Sequence, residues 1–110
     1  MDSDRRKMQM LNTDIEVNGN QARVVLEGKL DANTSPELRE KLSKLPEEVG
    51  NIELDIEKVI YISSAGLRVI LQYHNQMGQR GGKMTVCHPS ENIMDVFADT
   101  GLSGCLNIQK

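Results

Sequence analysis

The stretch from Ile52 to Leu71 changes its hydrophobic period partway along, and the rest of the chain is arranged around it. Ile52, Leu54 and Ile56 alternate with acidic residues, the period-2 pattern of a β-strand. The later positions have the spacing of a helix stripe: Leu67, Ile70, Leu71, His74 and Met77. Ser63 and Ser64 lie at the switch, and serine favours helix N-termini. The pattern therefore predicts two hydroxyls at a helix N-terminus, where unpaired N–H groups and a partial positive charge favour phosphate or another anion.

The flanking segments alternate between strands and helices. Asn18-Gly19 predicts a hairpin between strands at Leu11–Val17 and Ala22–Leu30, the second with a Val24–Leu26 run suited to burial on both faces. The other predicted elements are a helix beginning at Ser35-Pro36 or at a Thr34/Glu37 capping box, a strand Lys83–Cys87, a helix capped by Ser90 and a strand Cys105–Ile108. The order β-β-α-β-α-β-α-β predicts an α/β fold, a mixed β-sheet with helices packed against it.

Length and charge indicate one domain and narrow the range of partners. Residues 1–9 are charged and unpatterned, which predicts a flexible N-terminus before a single domain over residues 10–110. The net charge is −3 with both signs interspersed, and with no Trp and one Phe the chain offers little to nucleic acid. No apolar run approaches the ~20 residues of a membrane span. Without a secretory signal the chain is expected to be cytoplasmic, with Cys87 and Cys105 as reduced core residues.

Catalytic and metal-binding patterns are weak. Ser64 is the only plausible nucleophile, but no Gly-x-Ser-x-Gly elbow surrounds it. His74 would lie roughly 15 Å further along the same helix, and nothing in the sequence places His88 against Ser64. Cys87 and His88 are adjacent, so on a strand they would point to opposite faces. We therefore expect no enzyme activity, no cofactor and no metal site.

Two segments carry a resemblance to a known family. Tyr61-Ile62-Ser63-Ser64-Ala65-Gly66-Leu67-Arg68, preceded by Leu54-Asp55-Ile56, resembles the signature of the STAS domain family. The stretch Gly28-Lys29-Leu30-Asp31 is similar to a second landmark of that family. The resemblance extends from Leu11 to Ile108 and implies a STAS-like fold. Anti-sigma factor antagonists are the best-known free-standing members of the family. In their signature a serine that follows an aspartate is phosphorylated by a partner kinase. That serine corresponds to Ser64, whereas Ser63 replaces the aspartate and is the alternative acceptor.

The predicted topology places the candidate site at the carboxyl ends of the strands. Three loops are expected to approach one another there: Asp31–Thr34, Ile62–Ala65 and His88–Ser90. The residues predicted to contact a partner are Asp31, Asn33, Thr34, Ser63, Ala65, Gly66 and Arg68. Arg68 lies one turn beyond Ser64 and would bind the phosphate or pair with an acid of the partner. The structural alternatives are a Ser64 that only caps the helix, a turn residue at Asp31 and a solvated Arg68.

The resemblance implies a switch between partners. Unphosphorylated protein would bind a serine kinase that is also an anti-sigma factor and so free a sigma factor. Phosphorylation of Ser64 would release the kinase, and a phosphatase would reset the cycle. An exposed edge strand is consistent with a monomer or a weak dimer. The alternative function is a constitutive subunit or scaffold of a stressosome or of a membrane transport complex.

Overall fold

The computed structural model describes residues 11–110. The predicted boundary between a flexible terminus at 1–9 and the domain from residue 10 lies outside the described residues. The elements are β1 Asn12–Asn18, β2 Gln21–Leu30, α1 Ser35–Ser43, β3 Asn51–Ile62, α2 Ser64–Gln79, β4 Lys83–Cys87, α3 Glu91–Asp99 and β5 Asn107–Gln109, with a 3₁₀ turn at Leu102–Gly104. This order is the predicted one.

The five strands form one mixed sheet in the spatial order β1-β2-β3-β4-β5. β1 runs antiparallel to β2, and the pairs β2–β3, β3–β4 and β4–β5 are parallel. The β1–β2 hairpin closes at the pair Asn18 and Gln21, where Gly19 has a φ of +60°. A left-handed residue of this kind suits glycine, so the Asn-Gly signal identified the turn correctly.

One face of the sheet is buried and the other is partly open. Ile52, Leu54 and Ile56 of β3 are buried in the core that also contains the apolar side chains of the helices. The predicted burial of β2 on both faces is wrong, because Val25 is only partly buried whereas Val24 and Leu26 are fully buried. The helices therefore pack against a single face.

Helix α2 has a buried face that differs in part from the predicted stripe. Leu67, Ile70 and Met77 are buried as expected. Leu71 and His74 are only partly buried, and Val69 and Tyr73 take their places in the core. The neighbouring helix decides this rotation, since the Tyr73 hydroxyl donates to the Arg39 carbonyl of α1 at 3.3 Å.

Gly66 marks the closest approach of α2 to the sheet. A Cβ atom at this position would lie 2.7 Å from both Cγ and the carbonyl oxygen of Leu30, and 3.0 Å from Cγ1 of Ile62. No side chain fits there without displacing the helix or the ends of β2 and β3. The glycine therefore fixes where the first turn of α2 lies.

The two cysteines differ in exposure. Cys87 ends β4 in a buried position, and burial is the main cause that raises the pKa of its thiol, with Glu53 and Asp55 adding to the effect. Cys105 is exposed, so its predicted core position is wrong. Because the chain forms a 3₁₀ turn at Leu102–Gly104, the last strand begins only at Asn107, and Cys105 lies in the loop between the turn and the strand.

Gly66→Ala and Gly78→Ala form a matched pair of changes within α2. We expect Gly66→Ala to lower the free energy of unfolding by about 1–3 kcal/mol, because the new methyl group overpacks the contact with Leu30. Gly78 has open space around its ideal Cβ, so Gly78→Ala should raise stability by about 0.5 kcal/mol. Urea unfolding of the three proteins measures both effects. Equal effects of the two changes would contradict the close approach at Gly66.

Native protein should carry one reactive thiol. Iodoacetamide is expected to modify Cys105 readily, while Cys87 stays unmodified because its thiol is buried and its raised pKa lowers the thiolate fraction. Peptide mass spectrometry before and after denaturation checks the site of modification. Modification of Cys87 in the folded protein at the rate of Cys105 would contradict this assignment.

Candidate functional site

The carboxyl ends of β2 and β3 lie side by side. Leu30 pairs with Ile62 in the parallel register, and the Ser63 N–H donates to the Leu30 carbonyl at 2.9 Å. The loop Asp31–Thr34 and the start of α2 therefore leave the sheet at the same edge. Two of the three loops that were expected to converge are neighbours.

The third loop does not join them. β4 is only five residues long and ends at Cys87, which pairs with Asp55. Ile62 lies seven residues further along β3, about 20 Å away at the rise of a β-strand. The expectation that His88–Ser90 approaches Ser64 is therefore wrong, because the short β4 stops well before the end of β3.

Hydrogen bonds within the Asp31–Thr34 loop hold it in a compact turn. One carboxylate oxygen of Asp31 accepts from the backbone N–H groups of Asn33, at 2.9 Å, and Thr34, at 3.1 Å. The Thr34 hydroxyl donates to the Lys29 carbonyl at 2.7 Å and accepts from the Asp31 N–H. Thr34 is buried and Asp31 half-buried, so both shape the loop, and Ala32 and Asn33 are its exposed members.

The Thr34 hydroxyl is consequently not used to cap α1. Thr34 occupies the N-cap position without a side-chain capping bond, and Ser35 and Pro36 are the first two helical residues. Thr34 is at the N-cap position that the capping-box alternative predicts, but its predicted side-chain capping bond is not observed, and the prediction of Ser35 as the cap is wrong. The loop holds the Thr34 hydroxyl, and Ser35 lies one position inside the helix instead of before it.

The two serines at the start of α2 are in different environments. Ser63 is the N-cap with extended backbone, and its hydroxyl oxygen is buried without a hydrogen-bond partner among the described residues. Ser64 is the first helical residue and is exposed. The alternative that Ser64 is the helix cap is therefore wrong. Its hydroxyl is presented to solvent at the positive end of a sixteen-residue helix.

The surroundings of Ser64 are small and carry positive charge. Ala65 is half-buried, Gly66 is buried, and neither covers the Ser64 hydroxyl with a long side chain. Arg68 is exposed one turn further along α2 and forms no ion pair with another residue of the described chain. Residues four apart on a helix are neighbours, so its guanidinium is within reach of a phosphate on Ser64.

The position of both histidines argues against a nucleophilic Ser64. The sequence contains two histidines, His74 and His88. His74 is ten residues along α2, roughly 15 Å away. His88 directly follows β4 and lies beside Asp55, well before the end of β3 that leads to Ser64. Neither imidazole is within hydrogen-bond distance of the Ser64 hydroxyl as a general base. The geometry therefore provides no histidine that could activate Ser64 as a nucleophile.

A cluster of charged residues lies on the open face of the sheet, and the sequence did not indicate it. Asp55 is buried and accepts from the Arg23 guanidinium at 2.6 Å, while Arg23 also bonds Glu53 at 3.0 Å. His88 has a φ of +57° and places Nδ1 3.3 Å from Asp55. The strand pattern identified the acidic residues, but only the β2–β3 register brings Arg23 to them.

The same cluster has the ligand atoms of a metal site, but the positively charged Arg23 guanidinium already lies among them. Ligand atoms of Asp55, Glu57 and His88 lie within 4.8 Å of one another. The Arg23 guanidinium occupies the Asp55 oxygen that faces His88. A positively charged partner in that position opposes a divalent ion, so we interpret the cluster as structural ion pairing.

Comparison with known proteins identifies the family. The STAS domain profile matches residues 12–110. The anti-sigma-B factor antagonist of Bacillus subtilis is 31% identical over 98 residues, which cover 89% of this chain and 90% of that protein. No helix within residues 11–110 is both long enough and apolar enough to span a bilayer.

Solved structures show the same fold. The unphosphorylated form of the anti-sigma factor antagonist SpoIIAA superposes with a TM-score of 0.74 at 20% identity, covering 90% of this chain and 88% of that one. The phosphorylated form of SpoIIAA from Bacillus gives a TM-score of 0.71 at 22% identity and covers 90% and 92% of the two chains. With the profile match over nearly its whole length, this chain belongs to the STAS domain family, and the anti-sigma factor antagonists are among its relatives.

Proposed function

We propose that this protein is an anti-sigma factor antagonist whose binding to a serine kinase is switched by phosphorylation of Ser64. The kinase would be the anti-sigma factor itself, and binding would free a sigma factor. The exposed Ser64 hydroxyl at the first position of α2 carries this proposal. The names of the relatives and the existence of SpoIIAA in a phosphorylated form support it.

The contacts around Ser64 favour it over Ser63 as the acceptor. The Ser63 hydroxyl oxygen is buried, so a kinase reaches it only after the N-terminus of α2 moves. A phosphate on Ser64 adds about −1.5 to −2 charges at the positive end of the helix, which the macrodipole and Arg68 stabilise. Phosphorylation is therefore compatible with the folded state and changes the charge of the surface.

The contact surface we propose for the kinase lies around this position. It comprises the exposed Asn33, Ser64 and Arg68, together with the half-buried Asp31, Ser63 and Ala65. Gly66 contributes by allowing the helix to lie close to the sheet. A phosphatase would reverse the modification. We propose a binding role and not a catalytic one.

Phosphate transfer onto Ser64 is the primary test. Fractions of an extract of the source cells are incubated with the protein and ATP, and the phosphate is mapped by intact mass and peptide sequencing. We expect one phosphate in wild type and in Ser63→Ala, and none in Ser64→Ala. Phosphate on Ser63 alone would identify Ser63, and not Ser64, as the acceptor. No phosphate, while the kinases modify a control substrate, would contradict the switch and favour a constitutive subunit or scaffold.

Ser64→Asp should imitate the phosphorylated protein, which is released from the kinase. A carboxylate at the first helical position is compatible with the helix dipole, so the free energy of unfolding should not fall. Affinity for the kinase that modifies Ser64 should drop by about tenfold or more, equivalent to ~1.4 kcal/mol. Ser103→Asp places the same charge at an exposed serine of the 3₁₀ turn and serves as the control. Equal affinity of Ser64→Asp and wild type would contradict the proposal.

A further inference from the structure

Two large apolar side chains are exposed directly before the serines. Ile60 is 68% exposed and Tyr61 is 51% exposed, whereas Val59 and Ile62 on either side are buried. Consecutive residues of a regular strand point to opposite faces, so two exposed neighbours require an irregularity. We call Ile60 and Tyr61 the apolar pair.

A bulge in β3 exposes the apolar pair. Gly28 of β2 pairs with Val59, and the next residue, Lys29, pairs with Tyr61, so Ile60 is the extra residue. Bulges of this kind redirect side chains and are frequent beside functional sites. The pairing of β4 with β3 ends at Asp55, so no described strand lies beside the apolar pair on that side.

Two cations lie close to the apolar pair and to Ser64. Lys29 lies opposite Tyr61, and Arg68 lies one helical turn beyond Ser64. Neither forms an ion pair with a residue of the described chain. The carboxylate of Asp31 accepts from backbone N–H groups of its own loop and keeps its negative charge, and Glu57 of β3 is an exposed carboxylate.

One further pair of opposite charges lies on the neighbouring strands. Glu27 and Lys58 lie opposite one another across β2 and β3, so their charges contribute little net field at this edge. Lys29 and Arg68, which form no ion pair within residues 11–110, are therefore the cations that we expect acidic side chains of a partner to contact.

We propose that the apolar pair is the anchor by which the kinase docks, and that its counterpart on the kinase is an apolar recess rimmed by acidic side chains. This inference rests on the proposed function. Tyrosine is frequent among the residues that dominate binding energy, and Lys29 and Arg68 complement an acidic rim.

The anchor also explains how phosphorylation releases the kinase. Tyr61 is three residues before Ser64, so a phosphate on Ser64 adds negative charge beside the docked surface. The added charge neutralises the attraction from Arg68 and repels an acidic rim. Release then requires no change of fold.

The test compares three substitutions at exposed apolar positions. Ile60→Thr, Tyr61→Thr and the control Val17→Thr each place a β-branched residue, which suits a strand, at the changed position. Val17 is 42% exposed and pairs with Ala22 at the opposite end of the sheet. The probe is the kinase isolated by its transfer of phosphate to Ser64, and its affinity is measured without ATP. Thermal unfolding of each variant confirms the fold.

We expect Tyr61→Thr to weaken binding by about thirtyfold and Ile60→Thr by about tenfold, with Val17→Thr unchanged. The losses of affinity should accompany a lower rate of Ser64 phosphorylation at limiting kinase. Affinity of both variants within twofold of wild type would overturn the anchor while leaving the Ser64 switch intact. Failure of any kinase to bind or modify wild type would overturn both proposals. A wild-type dimer that Tyr61→Thr dissociates, with kinase affinity unchanged, would assign the apolar pair to a second copy and overturn docking of the kinase.

Discussion

The contact between Gly66 and Leu30 determines where the two serines at the start of α2 lie. Because there is no space for a Cβ atom at Gly66, the first turn of α2 packs directly on the ends of β2 and β3. The hydrogen bond from the Ser63 N–H to the Leu30 carbonyl holds the same junction from the strand side. Ser64 is thereby presented to solvent from a rigid support, which would suit the proposed recognition by a kinase and a phosphatase in turn.

Unequal strand lengths divide the molecule into two chemically different regions. β3 is twelve residues long and β4 only five, so the loop after β4 leaves the sheet beside Asp55 and not beside Ser64. The region near Asp55 contains a buried carboxylate with its arginine and histidine partners. The region near Ser64 contains an accessible hydroxyl, a helix N-terminus and two cations, Lys29 and Arg68, that form no ion pair within residues 11–110.

Much of the architecture could be predicted because it depends on local patterns. The alternation of Ile52, Leu54 and Ile56, the Asn-Gly turn and the serines at the start of α2 each specify structure within a few residues. The predicted order of elements was correct for this reason. The errors arose where a second element was needed. Tyr73 replaced His74 in the core because of α1, and Cys105 was exposed because a 3₁₀ turn shortened the last strand.

The candidate site shows the same division between local and long-range information. The sequence by itself determined that two serines stand at a helix N-terminus, with Gly66 and Arg68 shortly after them, because helix capping and spacing are local properties. The tertiary structure decided that Ser63 is the cap and Ser64 the exposed residue. It also decided that the Asp31 loop and not the His88 loop lies beside them, and that Ile60 and Tyr61 face solvent. These outcomes depend on the strand register and on a bulge, and both arise from pairing between segments far apart in the chain.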